Sequence, residues 1–491
     1  MKKKLVLAAA LILAVAALVV LLVFLKRSDA APDSAETAYV LNASDKPERI
    51  AVRNAQGEFA VLPAADSAGT ASIEGLEDCA FDSYALSVLI NHAEKLESKG
   101  IMAEGADIDA APFGLAAPRA RVEIRGRTRD GEDSGETVVL LVGGDAPDGE
   151  NAYVMREGGN AVHLAAARDA EDFLKAALDF VDKRIIPSAA GGSVLFSRMT
   201  LGGAARGGQP VVIVGEKPAE EAEGTKGLST ASYRLVSPAN APLSPDGGLD
   251  VLRSVFGLRA TRVAARIDRN APKSLLARYG LAEPYAALAA EGAPEAVLDG
   301  SFSLRASKPD ESGSAYVFRE GGSLIYEASA SALPWLDAPF FSFMDKFVVQ
   351  PAIGDVAEVE VRTPGRTVAF RLSGDGDALM VSGGIRGAGE RAIDAAVFRA
   401  YYQNLLAAKY DAVYDGSLPR GAVPSLEIVY RYRAERVPDR VAFYPAGGAT
   451  SRRLLVALNG GRPFYAYSAY ADALLADTEA VLRGETVAPY R

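Results

Sequence analysis

A chain of 491 residues is too long for one hydrophobic core, and its length predicts about three folded units of roughly 150 residues each. Hydrophobic residues make up 49% and charged residues 24% of the sequence, which excludes a predominantly disordered chain. The formal net charge of −10 predicts an acidic surface that repels phosphate backbones, so we expect no nucleic acid among the partners.

Residues 5–25 form an apolar run without a charged residue, glycine or proline. As a helix, this run would be about 31 Å long at about 1.5 Å per residue, close to a hydrocarbon thickness of about 30 Å. We therefore expect a transmembrane helix over residues 5–25, in contact with membrane lipid, between a tail at residues 1–4 and a linker at residues 26–44. A cleaved signal peptide is the alternative, but its apolar stretch is usually about 7–15 residues long.

The charges beside this run predict its orientation. Lysines at residues 2–4 precede it, whereas Lys26 and Arg27 follow it and are succeeded by acidic residues. Positive charge is retained on the cytoplasmic side of a membrane, which favours a cytoplasmic N-terminus. The prediction is a single-pass protein of the cell membrane, with the bulk of the chain on the periplasmic or outer face.

An internal repeat follows the linker. Residues 152–159 (AYVMREGG) match residues 315–322 (AYVFREGG) at seven of eight positions, with an offset of 163 residues (315 − 152). The other matched segments are the Asp-Lys pairs at 182–183 and 345–346, and residues 113–118 (FGLAAP) with 279–284 (YGLAEP). Residues 454–467 carry a weaker version of the first motif.

These matches predict units at residues 45–187, 188–353 and 354–491, of which the third is a degenerate copy. Each unit is expected to contain one helix packed on an antiparallel β-meander, so the predicted fold class is α+β. In the first unit, apolar residues recur at helical spacing from Leu86 to Leu96, between Asp82 as N-cap and Gly100 as the stop. Shorter apolar stripes at residues 249–256 and 397–405 predict the other two helices.

Glycine pairs recur at residues 158–159, 321–322 and 460–461. Each pair lies between two predicted strands, where a hairpin turn requires a positive φ. We therefore interpret the most repeated motif as a turn rather than as a ligand site.

The sequence shows no pattern typical of catalysis, cofactor binding or metal binding. Glycine-rich residues 202–208 and 383–389 lack the Lys-Ser/Thr ending of a phosphate loop. The acidic turns at residues 145–150 and 375–377 do not match the twelve-residue calcium pattern. We therefore predict no catalytic, cofactor-binding or metal-binding residues and no cofactor.

Three side chains and one region were candidates for chemistry. His92, His163 and the single cysteine, Cys79, have no zinc-ligand spacing, and the apolar neighbours of Cys79 predict a buried thiol. The tyrosine-rich region at residues 401–432 keeps two interpretations, a surface that binds a partner or glycan and a set of packing residues.

Four motifs together resemble the family known as domain of unknown function 4340. They are residues 113–118, the strand ending in Leu140-Leu-Val-Gly143, Tyr153-Val, and the closing Asp179-x-x-Asp182-Lys183. The resemblance covers about residues 45–351 and implies a bacterial, membrane-anchored, extracytoplasmic protein. Members are often encoded near ABC-type transport systems of the gliding-motility type, which implies an accessory role, and the family brings no catalytic residues.

The expected function is that of a non-catalytic, membrane-anchored, extracytoplasmic partner-binding or scaffold component, with an ABC-type transport system as the candidate partner complex. The alternative is a module that binds envelope polysaccharide or peptide. A carboxylate-dependent hydrolase comes third, because 63 acidic residues permit carboxylate pairs that spacing along the chain does not reveal.

Overall fold

The computed structural model describes residues 38–42, 46–64, 70–127, 133–187, 196–215, 233–244, 247–267, 273–292, 301–447 and 451–490. The predicted tail, the apolar run and most of the linker lie outside these residues. No helix within the described ranges is long and apolar enough to cross a membrane. The chain divides into two compact domains, an N-terminal domain that ends at Asp182 and a C-terminal domain that begins at Lys183.

The described residues of the N-terminal domain form an eight-stranded antiparallel sheet, called sheet 1, and a two-stranded sheet. The helices are α1 (Ser83–Glu94) and the short α2 (Ala167–Glu171). The strands are β1 (Tyr39–Asn42), β2 (Lys46–Asn54), β3 (Gly57–Leu62), β4 (Ser72–Ile73), β5 (Lys95–Glu97), β6 (Gly100–Glu104), β7 (Ala120–Arg127), β8 (Asp133–Asp145), β9 (Asn151–Arg156) and β10 (Ala161–Ala166).

The described residues of the C-terminal domain form two nine-stranded antiparallel sheets, called sheet 2 and sheet 3. The helices are α3 (Gly247–Val255), α4 (Lys273–Arg278), α5 (Phe340–Phe343), α6 (Ala395–Leu406) and α7 (Ser468–Arg483). Sheet 2 contains β11 (Arg198–Gly202), β12 (Val211–Gly215), β13 (Tyr233–Ser237), β14 (Ala241–Pro242), β15 (Arg262–Arg266), β16 (Ala286–Glu291), β17 (Ser301–Ala306), β18 (Ser314–Arg319) and β19 (Leu324–Ser329). Sheet 3 contains β20 (Val356–Thr363), β21 (Arg366–Ser373), β22 (Met380–Ile385), β23 (Arg391–Ile393), β24 (Ala412–Val413), β25 (Leu426–Tyr432), β26 (Asp439–Pro445), β27 (Arg453–Leu458) and β28 (Phe464–Tyr467).

The three large sheets share one pattern of strand order, although the first half has three strands in sheet 1 and four strands in sheets 2 and 3. The first half precedes the main helix, and the second half follows it. The first strand of the first half pairs with the second strand of the second half. The first strand of the second half lies at the far edge, beside the last strand of the sheet. The orders are β4-β3-β2-β7-β8-β9-β10-β6, β14-β13-β12-β11-β16-β17-β18-β19-β15 and β23-β22-β21-β20-β25-β26-β27-β28-β24.

This arrangement shows that the predicted fold class, in which each unit is one helix packed on an antiparallel meander, is wrong. Of the described residues, 42% are in strands and 21% in helices. The predicted transmembrane helix at residues 5–25 lies outside the described residues. Each main helix connects the two halves of one sheet instead of preceding a whole meander. The residues before the helices lie inside the predicted units, but they carry no repeated motif, so the sequence did not predict that they form strands of the same sheets.

The sequence predicted the start of α1 correctly but not its end. Asp82 is the N-cap, as predicted, because its Oδ1 accepts hydrogen bonds from the backbone N–H groups of Tyr84 and Ala85, both at 3.1 Å. The predicted stop at Gly100 is wrong, since α1 ends at Glu94 and Leu96 lies in β5. Leu96 is buried in either geometry, so its burial alone did not distinguish helix from strand.

The glycine-pair prediction is confirmed in all three sheets. The first glycine of each pair has a φ of 72° (Gly158), 76° (Gly321) or 71° (Gly460), which a side chain would disfavour. The second glycine donates its N–H back across the turn, at 2.9, 3.0 and 2.9 Å respectively. The pairs join β9 to β10, β18 to β19 and β27 to β28.

The two other repeated motifs pack against each other. Phe113 contacts Tyr153 edge to face, with ring centroids 5.0 Å apart, and Tyr279 contacts Tyr316 in the same way, also at 5.0 Å. A Cβ atom on Gly143 would lie 2.3 Å from the carbonyl oxygen of Phe113, so glycine is required where this segment crosses β8. In each repeat, this contact between two aromatic rings therefore holds the segment that precedes β7 or β16 against its sheet.

We expect the Phe113–Tyr153 contact to stabilise the N-terminal domain by more than the burial of each ring alone. A cycle of Phe113→Leu, Tyr153→Leu and the double variant should give a coupling free energy of about 0.5–1.5 kcal/mol. Urea unfolding followed by circular dichroism measures it, because the chain's one tryptophan, Trp335, lies in the C-terminal domain.

The matched control combines Phe113→Leu with Tyr84→Leu, because Tyr84 is 79% exposed in the same domain. The losses of unfolding free energy caused by these two substitutions should add. Additive losses for Phe113→Leu and Tyr153→Leu would contradict the prediction. The equivalent cycle at Tyr279 and Tyr316 should give a coupling of the same sign.

Candidate functional site

His92, near the end of α1, lies between two carboxylates of the N-terminal domain. Its Nδ1 is 3.0 Å from Oδ2 of Asp172, and its Nε2 is 3.7 Å from Oδ1 of Asp169 in α2. Lys175 donates a hydrogen bond of 2.5 Å to the other oxygen of Asp172, which is only 6% exposed. Both ring nitrogens therefore face acids rather than a nucleophile.

The charges in this cluster favour an ionised Asp172. Burial alone would raise the pKa of its carboxyl, but the hydrogen bonds with His92 and Lys175 and the positive charge of Lys175 hold that pKa below its usual value. A His–Asp pair orients the imidazole in catalytic triads, but here it joins α1 to the turn at residues 172–175. We interpret the cluster as a structural contact.

His163 in β10 has a different partner, a serine hydroxyl. Its Nδ1 is 3.0 Å from Oγ of Ser98, which lies between β5 and β6. In sheet 2 the same place is taken by Tyr326. His163 pairs with Ile101 and with Val154, and Tyr326 pairs with the equivalent residues of β15 and β18. A tyrosine at the equivalent position favours a packing role for His163 over that of a general base.

Burial lowers the pKa of His163, and the nearby charge of Glu104 offsets only part of this effect. The unfolded chain therefore takes up more protons than the folded chain as the pH falls through about 6.5. The contribution of this group to stability is complete above about pH 6.5 and is lost as the pH falls below it.

We expect His163→Gln to reduce the loss of thermal stability of the N-terminal domain between about pH 7.5 and about pH 5.5, because glutamine does not titrate. Thermal unfolding at both pH values, followed by circular dichroism, measures the difference. Ser98→Ala is the control, since it removes the hydroxyl but keeps the half-buried imidazole and should retain the wild-type pH dependence. Equal losses of thermal stability in the wild type and in His163→Gln would contradict the assignment of this pH dependence to His163.

The tyrosine-rich region belongs to the core of the C-terminal domain. Tyr401 and Tyr430 are 0% exposed, Tyr402 is 4% and Tyr410 is 7% exposed. The hydroxyl groups of Tyr401, Tyr402 and Tyr430 have internal partners, such as Thr478 Oγ1 at 2.6 Å from Tyr401 Oη. Of the two interpretations of this region, packing is correct for these four residues.

Sheet 3 carries a network of arginine and glutamate side chains on the side opposite Val359 and Val361. Glu360 is fully buried beneath Arg362 and Arg386, which donate hydrogen bonds to it, and Arg431. Burial alone would raise the pKa of Glu360, but the arginines hold it below its usual value. Because the opposite charges pair with each other, we interpret the network as structural rather than as an anion site.

Cys79 is not buried, so the prediction of a buried thiol is wrong. It is partly exposed in a surface turn and lines a groove of about 550 Å³ beside α1, together with Lys46, Ile90 and Glu94. Its Sγ is 3.7 Å from Oδ1 of Asp78. The apolar neighbours in the sequence did not predict this because exposed residues flank the thiol on both sides in the turn.

The remaining motifs occupy turns and strands. Asp148 in the acidic turn accepts hydrogen bonds from the N–H groups of Glu150 and Asn151, which closes the turn. The glycine-rich residues 202–208 contain a 3₁₀ turn at Ala204–Arg206, and Gly383 lies within β22. Within the described ranges, no three His, Cys, Asp or Glu side chains come together as metal ligands. The absence of catalytic residues and of a cofactor remains a prediction.

Strand β6 combines a sheet edge with exposed apolar side chains. It is the terminal strand of sheet 1, and Ile101 and Met102 are 53% and 48% exposed. Met102 is the extra residue of a β-bulge, because Ile101 pairs with His163 and Ala103 with Val162. An edge strand with exposed apolar side chains is prone to bind another chain, and we call these two residues the β6 edge.

The equivalent edge strand of sheet 2, β15, has the same bulge but a different surface. Val263 pairs with Tyr326 and Ala265 with Ile325, so Gly100–Glu104 corresponds residue by residue to Arg262–Arg266. Val263 is only 5% exposed, and Arg262 forms an ion pair with Glu327 at 2.5 Å. Sequence analysis missed the β6 edge because exposure depends on what covers the strand, for which the strand's own residues give no signal.

The chain matches one family of known sequences. The sequence model described as Domain of unknown function (DUF4340) matches residues 72–264 and again residues 234–421, which together exceed half of the chain. Each match includes two main helices, α1 and α3 in the first and α3 and α6 in the second, with strands of two successive sheets. Neither the curated proteins nor the solved structures contain a match to this chain.

Proposed function

Since this chain belongs to the domain of unknown function 4340 family, we propose that it is a non-catalytic binding component that docks a protein partner at the β6 edge. In this proposal, residues 5–25 hold the chain at a membrane, and the folded domains lie on the periplasmic or outer face. The resemblance to a family often encoded beside ABC-type transport systems makes such a system the candidate partner.

The observation that carries this proposal is the exposure of Ile101 and Met102 at the open edge of sheet 1. Apolar side chains at a sheet edge lose contact with water when a partner binds, which favours association. Methionine adds a flexible and polarisable side chain that adapts to different partner surfaces. The sister edge in sheet 2 is charged and covered, so the exposed surface is not a general property of this strand position.

The alternative of a module that binds envelope polysaccharide or peptide loses its main support, because Tyr401, Tyr402, Tyr410 and Tyr430 lie in the core rather than along a groove. The hydrolase alternative gains no support from His92 or His163, whose partners are consistent with packing roles.

Met102→Lys tests the proposed docking site. An ammonium group on the β6 edge must be desolvated when a partner covers it, so we expect the variant to lose most of the partner that co-purifies with the wild type. The measurement is affinity purification from gently solubilised membranes, with quantitative mass spectrometry of the captured proteins.

Met380→Lys is the matched control, because Met380 is 66% exposed in β22 of sheet 3 and receives the same substitution. It should capture the partner as well as the wild type does. Equal capture by Met102→Lys, at normal abundance and with a wild-type circular dichroism spectrum, would exclude the β6 edge as the docking site.

A second experiment tests the non-catalytic part of the proposal. Replacing His92 and His163 together with glutamine should leave any cellular phenotype of the protein intact while its abundance in the membrane stays normal. Lost function at unchanged abundance and fold would instead indicate a histidine-dependent reaction.

A further inference from the structure

Helix α4 covers part of the edge of sheet 2. Leu276 of α4 belongs to a buried cluster with Phe318 of β18 and Ile325 of β19. Ala264 and Ala265 of β15 pack against this cluster. The helix therefore shields apolar surface at the edge of its own sheet.

Sheet 1 has no α-helix at the corresponding place among the described residues. The segment between the edge strand and the repeated Phe/Tyr-Gly-Leu motif has eight residues in sheet 1 (105–112) and twelve in sheet 2 (267–278). The difference of four residues is about one helical turn. In sheet 1 this segment ends in a 3₁₀ turn at Ala111–Phe113 instead of a helix such as α4.

The residues that build the cluster are also reduced in size. Counted back from the motif, the counterpart of Leu276 is Ala110, and counted forward from the strand, the counterpart of Ile267 is Gly105. Small side chains at these positions contribute little cover to the edge. The segment keeps one large apolar side chain, the half-buried Ile108, but its shorter length and these two small residues reduce the cover that α4 provides in sheet 2.

The loss of cover appears in the exposure of the equivalent residues. Met155 replaces Phe318, the single difference between the two eight-residue repeats, and it is half-buried, whereas Phe318 is 5% exposed. Met102, the counterpart of Ala264, is 48% exposed. Val162, the counterpart of Ile325, remains fully buried, so the uncovered surface lies at the edge itself.

The charges around this surface are acidic. Glu104, Asp107 and Asp109 are exposed in and after β6. The helix that takes the equivalent place in sheet 2 has a basic residue, Arg278, in its last turn. A helix with the same pattern would therefore complement the acidic residues that follow β6.

We propose that sheet 1 binds an amphipathic helix of a partner protein in the place that α4 occupies in sheet 2. The partner helix presents leucine-like side chains to Met102 and Met155, and Lys or Arg side chains to the acidic residues after β6. This inference rests on the proposed function, because it gives the chemistry of the partner that docks at the same edge.

A graft tests whether the surface accepts such a helix. Residues 105–112 of the full-length chain are replaced by a copy of residues 267–278, which supplies the helix at a high effective concentration. We expect hydrogen exchange of the β6 amides to slow by at least about tenfold, because a seated helix suppresses local opening of the edge. The control graft carries Leu275→Ser and Leu276→Ser and should leave the exchange unchanged. Unchanged exchange in the first graft, with the other strands of sheet 1 exchanging as in the wild type, would overturn the proposal.

A second measurement does not depend on folding of the graft. Met102 is replaced by the photo-crosslinking residue p-benzoylphenylalanine, the cells are irradiated, and the crosslinked peptide is identified by mass spectrometry. Support requires a segment of another protein with apolar residues spaced three or four apart and basic residues on its polar side. Crosslinks confined to lipid, to a second copy of this chain, to the chain itself or to an extended segment would overturn the inference, as would the absence of a crosslink.

The two proposals fail in distinguishable ways. If Met102→Lys loses the partner but the crosslinked segment is extended, docking at the β6 edge stands and the helix is wrong. If Met102→Lys captures the partner normally, the proposed function fails together with the inference that rests on it.

Discussion

The pairing of β2 with β7 determines where every other strand of sheet 1 can lie. Ile50 and Val52 of β2 are opposite Ile124 and Val122 of β7, and all four side chains are buried. These strands are separated in the sequence by three other strands of the sheet and by α1, so the pairing joins two halves without a short connection. The first half can then extend only towards β4 and the second half only towards β10. The same constraint acts through β11–β16 in sheet 2 and β20–β25 in sheet 3, and such non-local contacts favour slow folding.

Local signals in the sequence were enough for features that depend on a few neighbouring residues. The N-cap at Asp82 and the turn at Gly158 each follow from one side chain or one backbone angle. The role of β2 could not be predicted in the same way, because its partner is more than sixty residues away and its own pattern did not match the repeat. The position of Cys79 depended on the path of a turn, which the apolar neighbours did not reveal.

The sequence did not predict the candidate site, for a different physical reason. Gly100–Glu104 and Arg262–Arg266 have the same pairing and the same bulge, yet one edge is exposed and the other is covered. At Ala264 and Ala265 the difference comes from α4, which is outside both strands, and from a shorter connection in sheet 1. The pairing of the strands shows which residues correspond, and this correspondence identifies Ile101 and Met102 as a candidate docking surface.

Each family match begins within one sheet and ends within another, which bears on how proteins with this fold change in length. Each match spans strands of two successive sheets, so a tandem duplication of the matched segment would insert the second half of one sheet and the first half of the next. Both inserted halves would find complementary halves already present, and no new unpaired edge would be created in the middle of a sheet. Strands β2 and β3 and strands β25–β28, which lie outside both matches, would keep their places in the first and last sheets. Homologues could therefore gain or lose whole sheets by duplication or deletion while every sheet that remains is complete.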